Sequence, residues 1–141
     1  MQYRRNDHQI LIRIDKDEDI PAALLSVCAK EDVSGAVFTG IGCCGRAVLS
    51  SFLPDKNDFL DREIEGMLDL IALNGNIFTE HGVLGEHPHA VFSCLQAGEH
   101  RVLAGHLKSA VVRYTAEILL TVTEPIRKTY DPSLGIAVWD L

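Results

Sequence analysis

Residues 86–107, EHPHAVFSCLQAGEHRVLAGHL, carry the strongest structural signal in the chain. Two runs rich in β-branched, aromatic and aliphatic residues flank a short polar segment, a combination typical of a β-hairpin. A two-residue loop at Gly98-Glu99 has glycine where a type II′ turn requires it, and it pairs Ala97 with His100. A four-residue loop closed by the pair Gln96 and Arg101 gives the same register. The sequence therefore predicts two antiparallel strands, at residues 89–96 and 101–107.

Three histidines lie on this hairpin: His87, His89 and His106. Residues i and i+2 of a strand lie about 7 Å apart on one face, so His87 and His89 point the same way. In the predicted register Val91 faces His106 and His89 faces Lys108, which places His106 diagonal to His89 on that same face. Diagonal neighbours about 7–8 Å apart can converge on one ion. A slip of one residue would turn His106 to the opposite face.

Three histidines with an open fourth position are a known zinc arrangement, with imidazole nitrogens at about 2.0–2.1 Å from the ion. Nickel, copper and iron accept the same ligands, so the pattern predicts a site for a divalent transition metal without identifying the element. Pro88, between two of the histidines, has no N–H and favours the edge of a sheet. The competing interpretation is that the histidines are ordinary polar residues on a half-exposed sheet.

Outside the hairpin, the pattern predicts one helical segment and several more strands. A strand at residues 9–14 precedes an amphipathic helix whose start Asp19 or a neighbouring acid can cap, and Pro21 is tolerated in its first turn. Residues 22–29 complete this helix, which is expected to end near Glu31. From Val33 onward, further strands are predicted at residues 36–41, 46–53, 59–65, 67–77 and 111–122. Short turns between strands imply antiparallel pairing. The predicted fold class is α+β, a single domain with a largely antiparallel β-sheet and one or two helices.

Three segments are predicted to interrupt the strands. Gly42-Cys43-Cys44-Gly45 is interpreted as a turn between two of them. Residues 107–111 are the candidate second helix. The tail, residues 124–141, is expected to be irregular, with a turn at Asp131-Pro132 and a short apolar end.

Length and composition fit one globular domain over residues 1–141, since 47% of the 141 residues are hydrophobic and 23% are charged. No apolar run reaches the length of about 20 residues that a bilayer span needs, and the first residues lack a secretory signal pattern. The four cysteines form no C-x-x-C pair and fit a reducing compartment. We therefore expect a cytoplasmic protein without membrane contact.

The charge balance disfavours nucleic acid as a partner. Thirteen Lys and Arg residues stand against 20 Asp and Glu residues, which gives a formal net charge of −7. Binding to a phosphate backbone draws most of its affinity from Lys and Arg that displace counterions. Folding could still gather the scattered cations into one patch, so DNA binding is disfavoured rather than excluded.

Blocks of sequence spread over residues 10–122 resemble the PPC family, the plants and prokaryotes conserved domain, which also occurs beside AT-hooks in plant nuclear proteins. The blocks that carry the resemblance are residues 35–42 (GAVFTGIG), residues 64–77 (IEGMLDLIALNGNI), His87-Pro88-His89, Ala104-Gly105-His106 and Thr115-Ala116-Glu117.

The resemblance implies a compact α+β fold and assembly as a homotrimer. It also implies a metal, usually zinc, on the His-x-His and Gly-His histidines, which correspond here to His87, His89 and His106. The family often has two glycines before the last histidine, where this chain has Ala104-Gly105.

Glu117 matches an acid that recurs in the family on the last long strand. A carboxylate there could orient a ligand imidazole or act as a general base for metal-bound water. An ion pair in packing or at an interface is an equally good interpretation.

The residues leave four functions open. The first is a trimeric metal-binding domain whose ion is structural or binds a small-molecule ligand, and the second is an assembly module alone. The third is a metal-dependent hydrolase or lyase, since a metal ion lowers the pKa of bound water to about 7. The fourth is DNA binding, because prokaryotic relatives carry that label by similarity. In the plant relatives, however, an Arg-Gly-Arg core contacts the groove, and this chain has none.

Overall fold

The computed structural model describes residues 1–56, 58–96 and 98–141. Within these ranges the chain forms eight β-strands and one α-helix, with a 3₁₀ turn at Pro54–Lys56. The elements are β1 Gln2–Asn6, β2 Gln9–Asp15, α1 Ile20–Lys30, β3 Ala36–Leu53, β4 Asp58–Glu80, β5 Val83–Gln96, β6 Glu99–Val122, β7 Arg127–Asp131 and β8 Ile136–Trp139.

The strands form one sheet in the order β1-β2-β6-β3-β4-β7-β8, with β5 paired to both β4 and β6. Strands β3, β4, β5 and β6 therefore form a closed ring of antiparallel pairs. Only β7 joins its neighbour β4 in parallel among the described pairs. The predicted α+β class with a largely antiparallel sheet is confirmed, and of the one or two predicted helices the described residues form one.

Helix α1 begins where the sequence predicted. The Asp19 carboxylate accepts from the Ala22 N–H at 3.1 Å, and Pro21 occupies the first turn. The other Asp19 oxygen accepts from Ser109 Oγ at 2.7 Å and from the Ala110 N–H at 3.0 Å, so one carboxylate fixes the helix start to the middle of β6. No helix in the described ranges is long and apolar enough to cross a membrane.

The core lies between α1 and the inner face of the sheet. From β2, Ile10, Ile12 and Ile14 are buried while the residues between them are exposed, which is the alternation expected of a strand with one covered face. Helix α1 contributes Leu24 and Val27, both fully buried. Burial of these aliphatic side chains is the main favourable term in folding.

The predicted turn at Gly42-Cys43-Cys44-Gly45 is wrong, because β3 runs through it as one strand of 18 residues. The ladder accommodates the segment by register shifts between Gly40 and Gly42 and between Cys44 and Arg46. A Cβ on Gly42 would lie 2.7 Å from Ala116 Cα, so this glycine permits a close approach of β6 rather than a turn.

Two other predicted breaks, at Gly66 and at residues 107–111, also lie within strands. Residues 59–65 and 67–77 belong to the single strand β4, which passes through Gly66 at a φ of 123°. Residues 107–111, the candidate second helix, lie within β6. The tail is not irregular, since β7 and β8 form a hairpin with Lys128 opposite Trp139.

Candidate metal centre

The hairpin of β5 and β6 forms, but its register differs from the prediction. His89 lies directly opposite His106, and His100 lies opposite Leu95 rather than Ala97. The predicted pairs of Val91 with His106 and of His89 with Lys108 are therefore wrong. The chain reverses earlier, with Gly98 at a φ of 82°, in the left-handed region that favours glycine. Ala97 itself lies outside the described residues.

The difference in register amounts to two residues, which preserves the face of every side chain. His106 consequently remains on the face of His87 and His89, as predicted, but directly across from His89 instead of diagonal to it. Pro88 lies just beyond the last β5–β6 pair, where β5 pairs with β4 alone. This position agrees with the predicted place of the proline at a strand edge.

His106 lies where β6 changes partners. It pairs with His89 of β5 on one side and with Ser50 of β3 on the other, after which β6 continues along β3. A Cβ on the preceding Gly105 would lie 2.9 Å from the Ser50 carbonyl oxygen, so glycine allows the two backbones to approach there. His87, on β5, lies opposite Asn76 of β4, so β4 also borders the site.

The ligand atoms of His87, His89 and His106 all lie within 4.8 Å of one another. His87 Nε2 is 3.1 Å from His106 Nδ1, and the His89 and His106 ring centroids are 4.1 Å apart. Two nitrogens bound to one tetrahedral zinc ion at about 2.0–2.1 Å would be about 3.3 Å apart. The three residues therefore fit a divalent transition metal in both donor type and spacing.

Burial keeps two of the histidines neutral. It lowers the pKa of His87 to about 4, with smaller contributions from Lys128, His106 and His89. The pKa of His106 is lowered by burial first, and then by His89 and Lys128. Neutral imidazole is the form that binds a metal, so these two ligands need not lose a proton at neutral pH.

Lys128, from the C-terminal hairpin, reaches the site and was not predicted. Its Nζ lies 3.4 Å from His87 Nδ1 and 3.9 Å from the centroid of the Phe78 ring. In the sequence this lysine was only part of a basic pair in a tail expected to be irregular. No local pattern could have found it, because the contact depends on parallel pairing of β7 with β4.

The other side of the site is aromatic and polar. The Phe59 ring meets His106 edge-on, with centroids 5.4 Å apart. Behind it, Asp61 accepts a short hydrogen bond from Ser50 Oγ and another from Lys108 Nζ at 2.8 Å. The hydrogen bonds from Lys108, the larger contribution, and from Ser50 lower the pKa of the Asp61 carboxyl. Lys108 is thereby paired with a carboxylate.

The two asparagines of β4 also face the histidines across the ladder, since Asn74 lies opposite His89 and Asn76 opposite His87. Both asparagines lie within the strand. Asn76 Oδ1 is buried without a hydrogen-bond partner among the described residues. A buried polar atom of this kind marks a place where a bound water or ligand is expected.

Glu117 lies elsewhere on β6, opposite Arg13 of β2 and Ile41 of β3. It is exposed and lines an open surface depression together with Tyr3 and Leu119. Within the described part of one chain, the group of metal-ligating side chains contains the three histidines without Glu117. Its predicted action on a ligand imidazole or on metal-bound water stays a prediction.

Solved structures share this fold over almost the whole chain. One is a protein from Bacteroides thetaiotaomicron described as a "putative DNA binding protein", with 26% identity, a TM-score of 0.90, and coverage of 99% of this chain and 96% of that chain. Another is a plant- and prokaryote-conserved (PPC) protein from Pyrococcus horikoshii, with 27% identity, a TM-score of 0.82, and coverage of 99% and 94%. A metal-containing protein from Archaeoglobus fulgidus matches in fold, with 22% identity, a TM-score of 0.84, and coverage of 99% and 97%.

Among curated proteins, no sequence match was found. The sequence profile of the Plants and Prokaryotes Conserved (PCC) domain, the family that the sequence blocks resemble, matches residues 1–124. This match covers the three histidines and every strand of the closed ring. The chain therefore belongs to the Plants and Prokaryotes Conserved domain family.

Proposed function

We propose that this protein binds a divalent transition metal, of the zinc type, on His87, His89 and His106. The observation that carries the proposal is the convergence of three ligand atoms within 4.8 Å from two strands, β5 and β6. The fold relative from Archaeoglobus fulgidus is described as metal-containing, which adds modest support because its likeness is one of fold. A bound zinc ion would supply positive charge and an open coordination position for a small-molecule ligand.

The chain's own residues define the surroundings of that position. Phe59 meets the ring of His106 edge-on at one side, while Lys128 places a cation on the other side, at His87. Glu117 lies away from the described cluster, so the proposal assigns binding rather than catalysis. A hydrolase or lyase activity would require a proton acceptor from outside this cluster.

We further propose self-association into a homotrimer, as the family resemblance implies. Four apolar side chains lie on the outer face of neighbouring strands, and Leu11, Ile41 and Ile71 are 51%, 58% and 54% exposed, with Leu119 opposite Leu11. Contiguous exposed apolar surface of this kind usually marks an interface. Glu117 and Arg13 lie opposite each other on the same surface, but Arg13 Nε is paired with Asp15 at 2.9 Å, so an ion pair of Glu117 would need a partner from another copy of the chain.

DNA binding is the second candidate, because two fold relatives are described as "putative DNA-binding" proteins. The net charge of −7 opposes it. Titration of duplex DNA at several salt concentrations tests this candidate, since phosphate contacts produce a steep fall in affinity with salt. Binding at physiological salt with such a slope would favour this function over a purely metal-binding role.

Elemental analysis of untagged protein, purified without chelator and incubated with zinc, tests the metal proposal. We expect about one zinc per chain. His89→Ala should lose it, whereas His100→Ala, which removes an exposed histidine from the same hairpin opposite Leu95, should retain it. A wild type without zinc, or equal zinc content in the two variants, would contradict the proposal.

A further inference from the structure

The C-terminal hairpin lies outside residues 1–124, which the family profile matches, yet it completes one side of the histidine site. Strand β7 pairs in parallel with the end of β4, with Glu80 opposite Lys128. The Thr79 N–H donates to the Ile126 carbonyl at 2.9 Å, which anchors the start of the hairpin. This pairing holds Lys128 half-buried beside His87.

Lys128 differs from the other lysine near the site. Lys108 Nζ is paired with Asp61 at 2.8 Å, whereas no carboxylate oxygen of the described residues lies within 4.0 Å of Lys128 Nζ. Its contacts are the face of Phe78 and the Nδ1 atom of His87. Desolvation by burial lowers the pKa of Lys128, and Glu80, opposite it in the ladder, raises that pKa to a smaller degree from a longer distance. Partial burial of a cation with no carboxylate in direct contact among the described residues costs free energy, so an anion at Nζ would stabilise this arrangement.

The chemistry of His87 points in the same direction. When Lys128 donates to Nδ1, the imidazole carries its proton on Nε2, which can donate to His106 Nδ1 at 3.1 Å. If Nε2 serves as a metal ligand, a neutral imidazole carries its proton on Nδ1 instead, and Nδ1 can no longer accept from Lys128. The ammonium then needs a new acceptor at the same place.

We propose that Lys128 is an anion-recognition residue that makes the three-histidine site selective for small oxyanions such as a carboxylate or a phosphate. The inference rests on the proposed metal site and names the class of its ligand. Three neutral imidazoles leave the charge of a divalent ion uncompensated, and Lys128 adds a further positive charge one imidazole ring away. An anion with one oxygen toward the ion and another toward Nζ offsets both charges.

The test measures metal content first and ligand affinity second. Cobalt(II)-loaded wild type, Lys128→Gln, Lys128→Arg and Lys108→Gln are each titrated with acetate, inorganic phosphate and neutral imidazole, and binding is followed by the visible spectrum. The Lys108→Gln variant removes the same charge near His106 from a lysine that already has a carboxylate partner, so it controls for net charge.

Lys128→Gln should weaken acetate and phosphate binding about tenfold, leave imidazole binding unchanged and raise the affinity for the metal itself, because a neighbouring cation is gone. Lys128→Arg should stay within about threefold of the wild type for the anions. Lys108→Gln should behave as the wild type. In Lys128→Gln the affinity for the anion should fall while the affinity for the metal rises. A purely structural role of Lys128 would not produce changes of opposite sign.

Equal anion affinity in Lys128→Gln and wild type, with full metal content in both, would overturn this inference alone. A parallel loss of anion and imidazole binding would likewise overturn it in favour of a structural role. If Lys128→Gln does not fold, Lys128→Met keeps the apolar stem over Phe78 and removes the charge. A wild type that holds no metal would overturn the proposed metal site, and this inference with it.

Discussion

Strand β6 has two regions that differ in polarity and in their surroundings. Near its start, His106 lies beside His87 and His89 in a polar cluster that Lys128 reaches at His87. Toward its end, Leu119 lies among exposed apolar side chains of the neighbouring strands. One continuous strand thus joins a place suited to a metal and its ligand to a surface suited to another copy of the chain.

The two regions depend on different strand pairings. The histidine cluster requires the register of β5 with β6, whereas the apolar surface requires β2 and β3 on either side of β6. Substitutions should therefore affect one region while the other remains intact. The following predictions test that independence.

The largest effect is expected from a charge on the apolar surface. Ile41→Glu should convert the associated protein to monomers, because a carboxylate would be buried at the proposed interface, while the zinc content per chain stays unchanged. Light scattering with size-exclusion chromatography measures the molecular mass. Val102→Glu, at a residue 69% exposed in the hairpin part of β6, is the control and should remain associated. A monomeric wild type would refute the interface.

Gly75→Ala should damage the histidine region next. A Cβ there would lie 2.4 Å from Phe38 Cζ and 2.5 Å from the His87 carbonyl oxygen, so the strand that carries His87 must shift. We expect a loss of about 1–3 kcal/mol in the free energy of unfolding and weaker zinc binding. Gly45→Ala, where the nearest atom would be Arg113 Cβ at 3.7 Å, should change neither. Urea unfolding and a zinc competition assay distinguish the two variants.

Asp19→Ala should lower the stability of the whole fold without acting on either region selectively, because this carboxylate anchors the helix start to the middle of β6. Loss of the cap and of the contacts to Ser109 and Ala110 should cost about 1–2 kcal/mol of stability. The folded variant should keep its zinc and its molecular mass. A loss of metal without a loss of stability would mean that α1 acts on the histidine site specifically.

Mild acidification, from neutral pH to about pH 6, should produce the smallest effect, and only in the metal-free protein. The pKa of His87 falls from 6.5 to about 4 on folding, so between these values the unfolded state binds a proton that the folded state does not. Stability is therefore full above about pH 6.5 and decreases as the pH falls toward 4. Urea midpoints of wild type and His87→Gln across this range measure the contribution. Identical pH profiles would contradict the burial of His87.

The parts of the fold that depend on local chemistry could be predicted from the sequence. Asp19 and Pro21 specify a helix start within a few residues, and Ile10, Ile12 and Ile14 show the alternation of a strand with one buried face. The Gly42–Gly45 segment was misinterpreted because glycine serves equally in turns and where two backbones approach closely. Sequence alone does not distinguish these uses.

The candidate site was predictable in composition but not in its full geometry. Alternation fixes which face a side chain occupies, so His106 was expected beside His87 and His89, but a shift of two residues leaves the pattern unchanged. The direct opposition of His89 and His106 could therefore not be read from the pattern. Lys128 escaped prediction because its position depends on pairing between β4 and β7, which are distant in sequence.

Zinc K-edge X-ray absorption of the zinc-loaded protein tests the central claim most directly, because it identifies the atoms bound to the ion. We expect three imidazole nitrogens at about 2.0–2.1 Å, together with one further nitrogen or oxygen ligand, and loss of the imidazole scattering in His89→Ala. Sulfur scatterers at about 2.3 Å would contradict it, because they would assign the metal to the cysteines instead of the three histidines.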